Sequence, residues 1–298
     1  MREGRPSLTA SIVALGRALY EEAPEGFAPT RDGHADELLP LGMRALAKLA
    51  RPLWSVSPAL ARQAFRAVTF GLSEHVALRT RAIDECIERA IREGARQMVT
   101  LGAGLDTRAW RMEPLASVRV FEVDHPATQQ FKTRRVDRAR SLAKELRFVT
   151  VDFTKDSLDE RLSEAGHDRE APTIWVLEGV SVYLKRAALE ATLEALSARS
   201  AGGSALAFTY VPKAVLTRWS KGQQSIEAVA SAIGERFEGL IEKDDARALI
   251  EPRGWAIERD EGTRELAERW MSGVDAESVW ERERVLTARF SPRRDRGR

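Results

Sequence analysis

The chain has 298 residues, 43% hydrophobic, 31% charged and 7% aromatic, with 47 Lys and Arg against 45 Asp and Glu for a net charge of +2. That composition carries enough apolar material for one large domain and excludes a disordered or fibrous chain. Four Arg and one Asp fall in the last eight residues, so the preceding 290 carry a net −1 and no general basic character that would mark a nucleic-acid binder.

The N-terminal stretch begins basic, but Arg17 interrupts its apolar residues and no small-residue cleavage site follows. It is predicted to be an amphipathic helix and not an export signal, which gives the expectation of a cytoplasmic protein. From Ser7 to about Arg96 the pattern is helical: Ile12, Leu15 and Leu19, then Leu46, Leu49 and Leu53, then Ile83, Ile87 and Ile91 recur at three to four residues. Cys86, the single cysteine, lies in this part; it excludes a disulfide framework and is expected in the core.

After Gly94 short apolar runs alternate with amphipathic segments. Strands are predicted at 97–101, 118–123, 147–151, 173–177, 205–210, 255–258 and 285–290, with crossover helices at 127–142, 185–200 and 244–251. The expected fold is α/β: a doubly wound, mostly parallel, seven-stranded Rossmann-like sheet with an N-terminal helical lid. The expected organisation is a lid over 1–96, a core over 97–290 whose insertion 211–240 contributes to the lid, and a basic tail over 291–298. The longest apolar run, 172–184, is interrupted by Glu178 and falls short of the roughly 20 residues of a spanning helix, so no membrane association is expected.

In such sheets ligands lie beyond the carboxyl ends of the strands. The first strand leads into Gly102-Ala103-Gly104-Leu105-Asp106-Thr107-Arg108. Two glycines allow a tight turn and close backbone approach, but Thr107 replaces the third glycine of a dinucleotide fingerprint. The second strand ends at Asp124-His125-Pro126, an acid 20 residues beyond Gly104 and suited to ribose hydroxyls. Asp152 and Phe153 follow the third strand and suit an adenine. Glu178 follows the fourth, inside an apolar run where a carboxylate needs a partner or a function. Together these residues describe a nucleoside cofactor without a pyrophosphate, S-adenosyl-L-methionine more than a nicotinamide dinucleotide.

The run 101–111, the Glu122-Val123-Asp124-His125-Pro126 segment with Lys132 after it, Arg79-Thr80-Arg81, Val151-Asp152-Phe153 and Glu178-Gly179-Val180 through Tyr183-Leu184 resemble the leucine carboxyl methyltransferase family. In particular they resemble its bacterial branch of small-molecule O-methyltransferases, related to polyketide carboxyl methyltransferases. The resemblance implies that Arg79 reaches the cofactor's carboxylate and Glu178 its amino group. It further implies that Gly102, Ala103 and Gly104 line the methionine side, that Asp124 and His125 lie at the ribose, and that Asp152 and Phe153 flank the adenine. Ser181-Val182 departs from the family's usual Leu-Met and is expected to reshape the acceptor pocket.

A carboxylate acceptor is already ionised, so Arg79 and Tyr183 are expected to orient it without an obligatory base; a phenol or alcohol would need one from His125, His34 or His75. A small molecule is the expected partner, with no metal. The alternatives are a protein C-terminal carboxylate as acceptor, or a nicotinamide-dependent oxidoreductase, against which stand Thr107 and the lack of a Tyr-x-x-x-Lys pair after the fourth strand. Asp84 and Glu85 are expected on a helix surface, Lys132 either on a surface or at the ligand, and His167 in a turn.

Overall fold

A computed structural model describes residues 8–136, 141–152, 155–217 and 237–292. Among them, α1 (Leu8–Leu19), α2 (Ala35–Leu38), α3 (Leu41–Ala50), α4 (Leu53–Val56), α5 (Pro58–Thr69) and α6 (Leu72–Arg92) precede the first strand. Strands and helices then alternate: β1 (Gln97–Leu101), α7 (Arg108–Arg111), β2 (Arg119–Asp124), α8 (Pro126–Val136), β3 (Glu145–Thr150), α9 (Leu158–Glu164), β4 (Thr173–Leu177), α10 (Arg186–Ala198), β5 (Ala205–Tyr210), α11 (Lys213–Thr217), α12 (Lys243–Ile250), β6 (Trp255–Glu261), α13 (Thr263–Trp270) and β7 (Arg284–Phe290). Most of the insertion (218–236), the end of the tail (293–298) and Phe153 lie outside the described residues.

The seven strands form one sheet in the order β3-β2-β1-β4-β5-β7-β6. β1 to β5 are parallel, and β7 runs antiparallel between β5 and β6. This is the predicted seven-stranded Rossmann-like sheet. The period of two along each strand divides the core. Val99, Leu101, Phe121, Val123, Trp175, Leu177, Leu206 and Phe208 point to one side, where Leu189, Leu193 and Leu196 of α10 and Leu249 of α12 cover them. Met98, Val120, Ile174, Val176, Ala205 and Ala207 point to the other, where α6 covers them with Ile83, Ile87, Ala90 and Ile91. Ala205 and Ala207 are small enough for α6 to come close, and the buried Cys86 sits there with Sγ 4.0 Å from the Leu206 carbonyl oxygen. α6 ends at Gly94, whose φ of 108° lets the chain reverse while the Ala95 amide donates to the Ala90 carbonyl.

Strands β1, β4 and β5 are buried along their whole length and match the predicted bounds. β3 and β6 differ: β3 starts two residues earlier and β6 runs three residues longer. Both are edge strands, so half-exposed charged residues such as Glu145, Arg147, Glu258 and Glu261 are tolerated and the apolar pattern that would mark the ends is missing.

Burial corrects the surface expectation for Asp84, removes the surface alternative for Lys132, and shows the turn residue His167 to be packed inside. Asp84 is 3% exposed, held by Arg108 and Arg111. Lys132 is 1% exposed; its Nζ lies 2.5 Å from Glu122 Oε2 and 5.1 Å from the centre of the Trp110 ring. His167 is packed between Phe121 and Trp175 and hydrogen bonds Thr173 Oγ1 at 3.0 Å, below the opposite end of the sheet from the glycine loop. In each case the burying partner lies on a neighbouring element, which the pattern within one element does not register. Glu85 is half-buried, paired with Arg269.

Burial lifts the Glu122 carboxyl to about 7 even beside the Lys132 ammonium. Because a buried charge without its partner is costly, Lys132→Met is expected to lower unfolding free energy by about 3–5 kcal/mol, and Glu122→Leu/Lys132→Met to recover most of it. Urea denaturation of the two variants checks this; equal losses would show that the pair is not coupled.

Candidate functional site

The strand order reverses between β1 and β4, and the loops that leave their carboxyl ends meet there. After β1 the chain turns through Gly102 (φ 63°) and Gly104 (φ 49°), both in the left-handed region. A Cβ at Gly102 would stand 2.5 Å from Val180 Cγ2 of the loop after β4, so glycine lets the two loops touch. Asp124, at the end of β2, accepts from the amides of Gly104 at 2.5 Å and His125 at 2.6 Å, and so ties the second strand end to the glycine loop. Burial raises the Asp124 carboxyl, with these two amides pulling against it. Asp152 follows β3, half-buried, with its amide donating to Asp156 Oδ2 at 2.8 Å and its carboxylate 3.4 Å from Lys155 Nζ.

After β4, the Gly179 amide donates to Thr209 Oγ1 at 2.8 Å and Ser181 Oγ donates to the Thr209 carbonyl at 2.6 Å. One residue of β5 thus shapes this turn. It delivers Tyr183, whose ring packs edge-on to Phe237 with centroids 5.7 Å apart. The Glu238 and Gly239 amides donate to the Val182 carbonyl, which holds the end of the insertion against the same turn.

Glu178 is the centre of the charged groups. Its Oε1 accepts from Arg79 Nε at 2.9 Å and its Oε2 from Arg108 Nη1 at 2.8 Å. Burial alone would raise its carboxyl; Arg108 and Arg79 reverse this and hold it below the ordinary value. Arg108 also binds Asp84 at 2.7 Å and Asp106 at 2.6 Å, and Arg111 binds the other side of Asp84 at 2.7 Å. Further along, Arg17 of α1 donates to Asp32 at 2.8 Å and to the Leu105 carbonyl at 2.6 Å, while Thr107 donates to Asp32 at 2.6 Å. The N-terminal helices are therefore bonded directly to the glycine loop. Asp106 bonds within the loop, to the Arg108 amide and guanidinium, whereas Arg108 reaches beyond it to Asp84 and Glu178.

Arg79 donates from Nη1 to Glu283 Oε2 at 2.5 Å, and His75 Nε2 lies 3.2 Å from the same oxygen. Thr263 Oγ1 accepts the Arg282 amide, so its hydroxyl hydrogen points to His75 Nδ1 and leaves Nε2 as the donor to Glu283. Burial keeps His75 below its ordinary value, in the neutral form. Glu283 and Thr263 are site-supporting residues that the pattern did not reveal. Glu283 lies 204 positions from Arg79, with no motif around it to mark its role.

The structure thus brings together Arg79, Gly102, Ala103, Gly104, Asp124, His125, Glu178 and Tyr183 on the loops and helix that meet at the switch point, with Asp152 at the next strand end. His34 lies apart, 3.5 Å from Glu37. No group of carboxylate, imidazole and thiol ligands suited to a metal ion occurs among the described residues.

The Glu283 carboxyl, which burial would raise, is held down at about 2 by Arg79 and His75. A carboxyl depressed in the folded state contributes stability that is full above its unfolded value near 4.5 and is lost as pH falls toward 2. The unfolding free energy is expected to fall by about 3 kcal/mol from this group across that window, and Glu283→Gln to flatten the fall while lowering stability at pH 7. Urea titrations between pH 2 and pH 7 check it; an unchanged slope in the variant would contradict the assignment.

The sequence profile of the leucine carboxyl methyltransferase family matches residues 10–197. A Streptomyces coelicolor protein provisionally named as an S-adenosyl-L-methionine-dependent methyltransferase is 35% identical over 262 residues, covering 85% of this chain and 82% of its own. A Mycolicibacterium smegmatis protein with the same provisional name is 32% identical over 256 residues, covering 84% and 83%. Among solved structures, a provisionally named methyltransferase from Thermobifida fusca matches 97% of this chain and 96% of its own with TM-score 0.56 at 16% identity, a likeness of fold. These relatives give no support to the oxidoreductase alternative, and Thr107 at the third glycine position agrees with its rejection. The chain belongs to the leucine carboxyl methyltransferase family and is an S-adenosyl-L-methionine-dependent methyltransferase.

Proposed function

We propose that the protein forms a methyl ester on a small-molecule carboxylate by direct displacement. The observation that carries this reading is the engagement of the four histidines. His75 and His167 are buried and hydrogen bonded, His34 pairs with Glu37, and His125 accepts the Ala127 amide on Nδ1 at 3.2 Å at the start of α8. The strand ends offer guanidinium groups and a phenol, which orient an anion, and the acceptor that needs orientation but no deprotonation is a carboxylate.

The residues present fit the cofactor. Gly102 and Gly104 provide a backbone cradle that a Cβ would obstruct, and Asp124 stands beside it as the acceptor for ribose hydroxyls. Arg79 engages all three of its nitrogens among the described residues, Nε and Nη2 on Glu178 and Nη1 on Glu283, which leaves the second hydrogen of each Nη group for a carboxylate; Glu178 would hold the ammonium. Asp152, with Phe153, would flank the adenine. When bound, S-adenosyl-L-methionine supplies a sulfonium methyl that an ionised oxygen can displace without loss of a proton. Tyr183 and Arg79 hold the acceptor in line, and this alignment is where the chain supplies catalysis, worth about 7–11 kcal/mol for well-oriented reactants. The N-terminal helices and the described end of the insertion cover the strand ends as a lid, which the bonds from Arg17, Thr107 and Val182 to neighbouring loops support.

Calorimetry with S-adenosylhomocysteine is expected to show binding that Asp124→Ala and Arg79→Lys weaken about 10–100-fold, the loss of a hydrogen bond to a charged group. Absence of binding to the wild type would overturn the cofactor assignment. His125→Gln is expected to leave turnover of a carboxylate acceptor within about threefold of wild type, whereas a base would show a loss of about 100-fold or more.

A further inference from the structure

Among the described residues seven large apolar side chains are exposed, and six of them, Leu41, Leu46, Leu49, Val56, Leu60 and Val68, lie on α3, α4 and α5, at exposures from 50% to 83%. The same stretch, residues 41–69, contains no Asp or Glu and five Lys and Arg, in a chain with 45 acids. Scattered single apolar residues on a surface need no explanation, but a concentration of this kind does.

The arrangement on α3 is ordered. At 3.6 residues per turn, Leu41, Ala45, Leu49, Gly42 and Leu46 occupy one continuous outward arc of about 140°, all exposed, while Ala47 on the opposite side is buried. Lys48 and then Arg44 run along one edge of that arc. Arg135 of α8 lies close enough to Arg44 for the two charges to repel, and Arg134 beside it is exposed. Arg44 donates to the carbonyls of Asp36 and Glu37; no carboxylate lies in ion-pair range of Arg44, Lys48, Arg134 or Arg135 among the described residues. The α3 face is thus apolar at its centre and cationic at one edge; Arg51 and Arg62 behind it are paired with Asp36 and Glu74, and the exposed acid Glu37 of α2 lies beside Arg44, which bonds its carbonyl.

We propose that the α3–α5 face docks on the surface of a lipid bilayer rich in anionic headgroups, with the leucines in the acyl boundary and the rim cations among the phosphates. No helix among the described residues is long and apolar enough to cross a membrane, so the contact is peripheral, and it departs from the sequence expectation of no membrane association. Charge selects this occupant over a second copy of the chain. A two-fold pairing would gather Lys48, Arg44 and Arg135 of both copies into one interface, where residues 41–69 provide no acid to offset them. The outward arc of α3 also carries no hydrogen-bonding side chain that would fix the register of a folded partner, and a fluid bilayer requires none.

Sedimentation of the full chain with vesicles of phosphatidylglycerol and phosphatidylcholine is expected to pellet the protein at 0.1 M salt, with at least tenfold weaker partition into pure phosphatidylcholine and a comparable loss at 1 M salt. Leu41→Ser/Leu49→Ser is expected to weaken partition at least tenfold, and Lys48→Glu about tenfold, while helical circular dichroism and S-adenosylhomocysteine binding stay at wild-type values because these side chains face outward and are exposed. Absence of binding to the anionic vesicles, or binding that both variants retain, would overturn the proposal. So would sedimentation equilibrium showing a dimer that the double leucine variant converts to monomer, since a second copy would then cover this face.

Discussion

A carboxylate held between two guanidinium groups, Glu178 between Arg79 and Arg108, is the contact on which the arrangement of the site depends. It joins the end of β4 to α6 and to the loop after β1, across 99 and 70 positions of the chain. Each member is buried, so removing any one would leave charges without partners at a cost well above that of a surface ion pair. Glu283 and Asp84 extend the arrangement to β7's approach and to α7. The strand ends are therefore set by the body of the protein and not by their own loops.

The same economy of charge shapes the chemistry. A cofactor with an ammonium, a carboxylate and a sulfonium calls for fixed charges of both signs at one place, and Glu178 with its two guanidinium groups is such a place. Glu178 stays ionised because Arg108 and Arg79 outweigh its burial. His75 stays neutral and holds Glu283 by its Nε2–H, and Glu283 in turn holds Arg79. Preorganisation of this kind costs stability, which the two apolar layers on either side of the sheet offset, and it spares the reaction the reorganisation of polar groups.

Much of the fold was legible from local pattern. β1, β4 and β5 are apolar runs because both faces are covered, and such runs mark their own ends. The edge strands β3 and β6 were blurred by charges that an edge tolerates. In the site, the glycines, Asp124 and Glu178 could be found because each stands directly after a strand, where topology confers meaning. Arg79 was found through family likeness alone, since nothing in a regular helical repeat distinguishes an arginine aimed at a strand end from one aimed at solvent. Asp84 was misplaced and Lys132 left open for the same reason: burial depends on what packs above a residue, and the packing group stands on another element.

The sequence by itself determined the class of the protein: a doubly wound sheet, a glycine turn with no room for a pyrophosphate fingerprint, and acids at successive strand ends, all of which follow from residue spacing within short segments. Only the tertiary structure decided which charges meet. Glu283 reaches Arg79 across 204 positions, and Arg17 reaches the Leu105 carbonyl across 88. It also decided that the leucines of α3 face outward, because a helical period shows that one face is apolar but not whether another element covers it. Periodicity is a property of neighbours in the chain, whereas burial and ion pairing are properties of neighbours in space, and only folding converts one into the other.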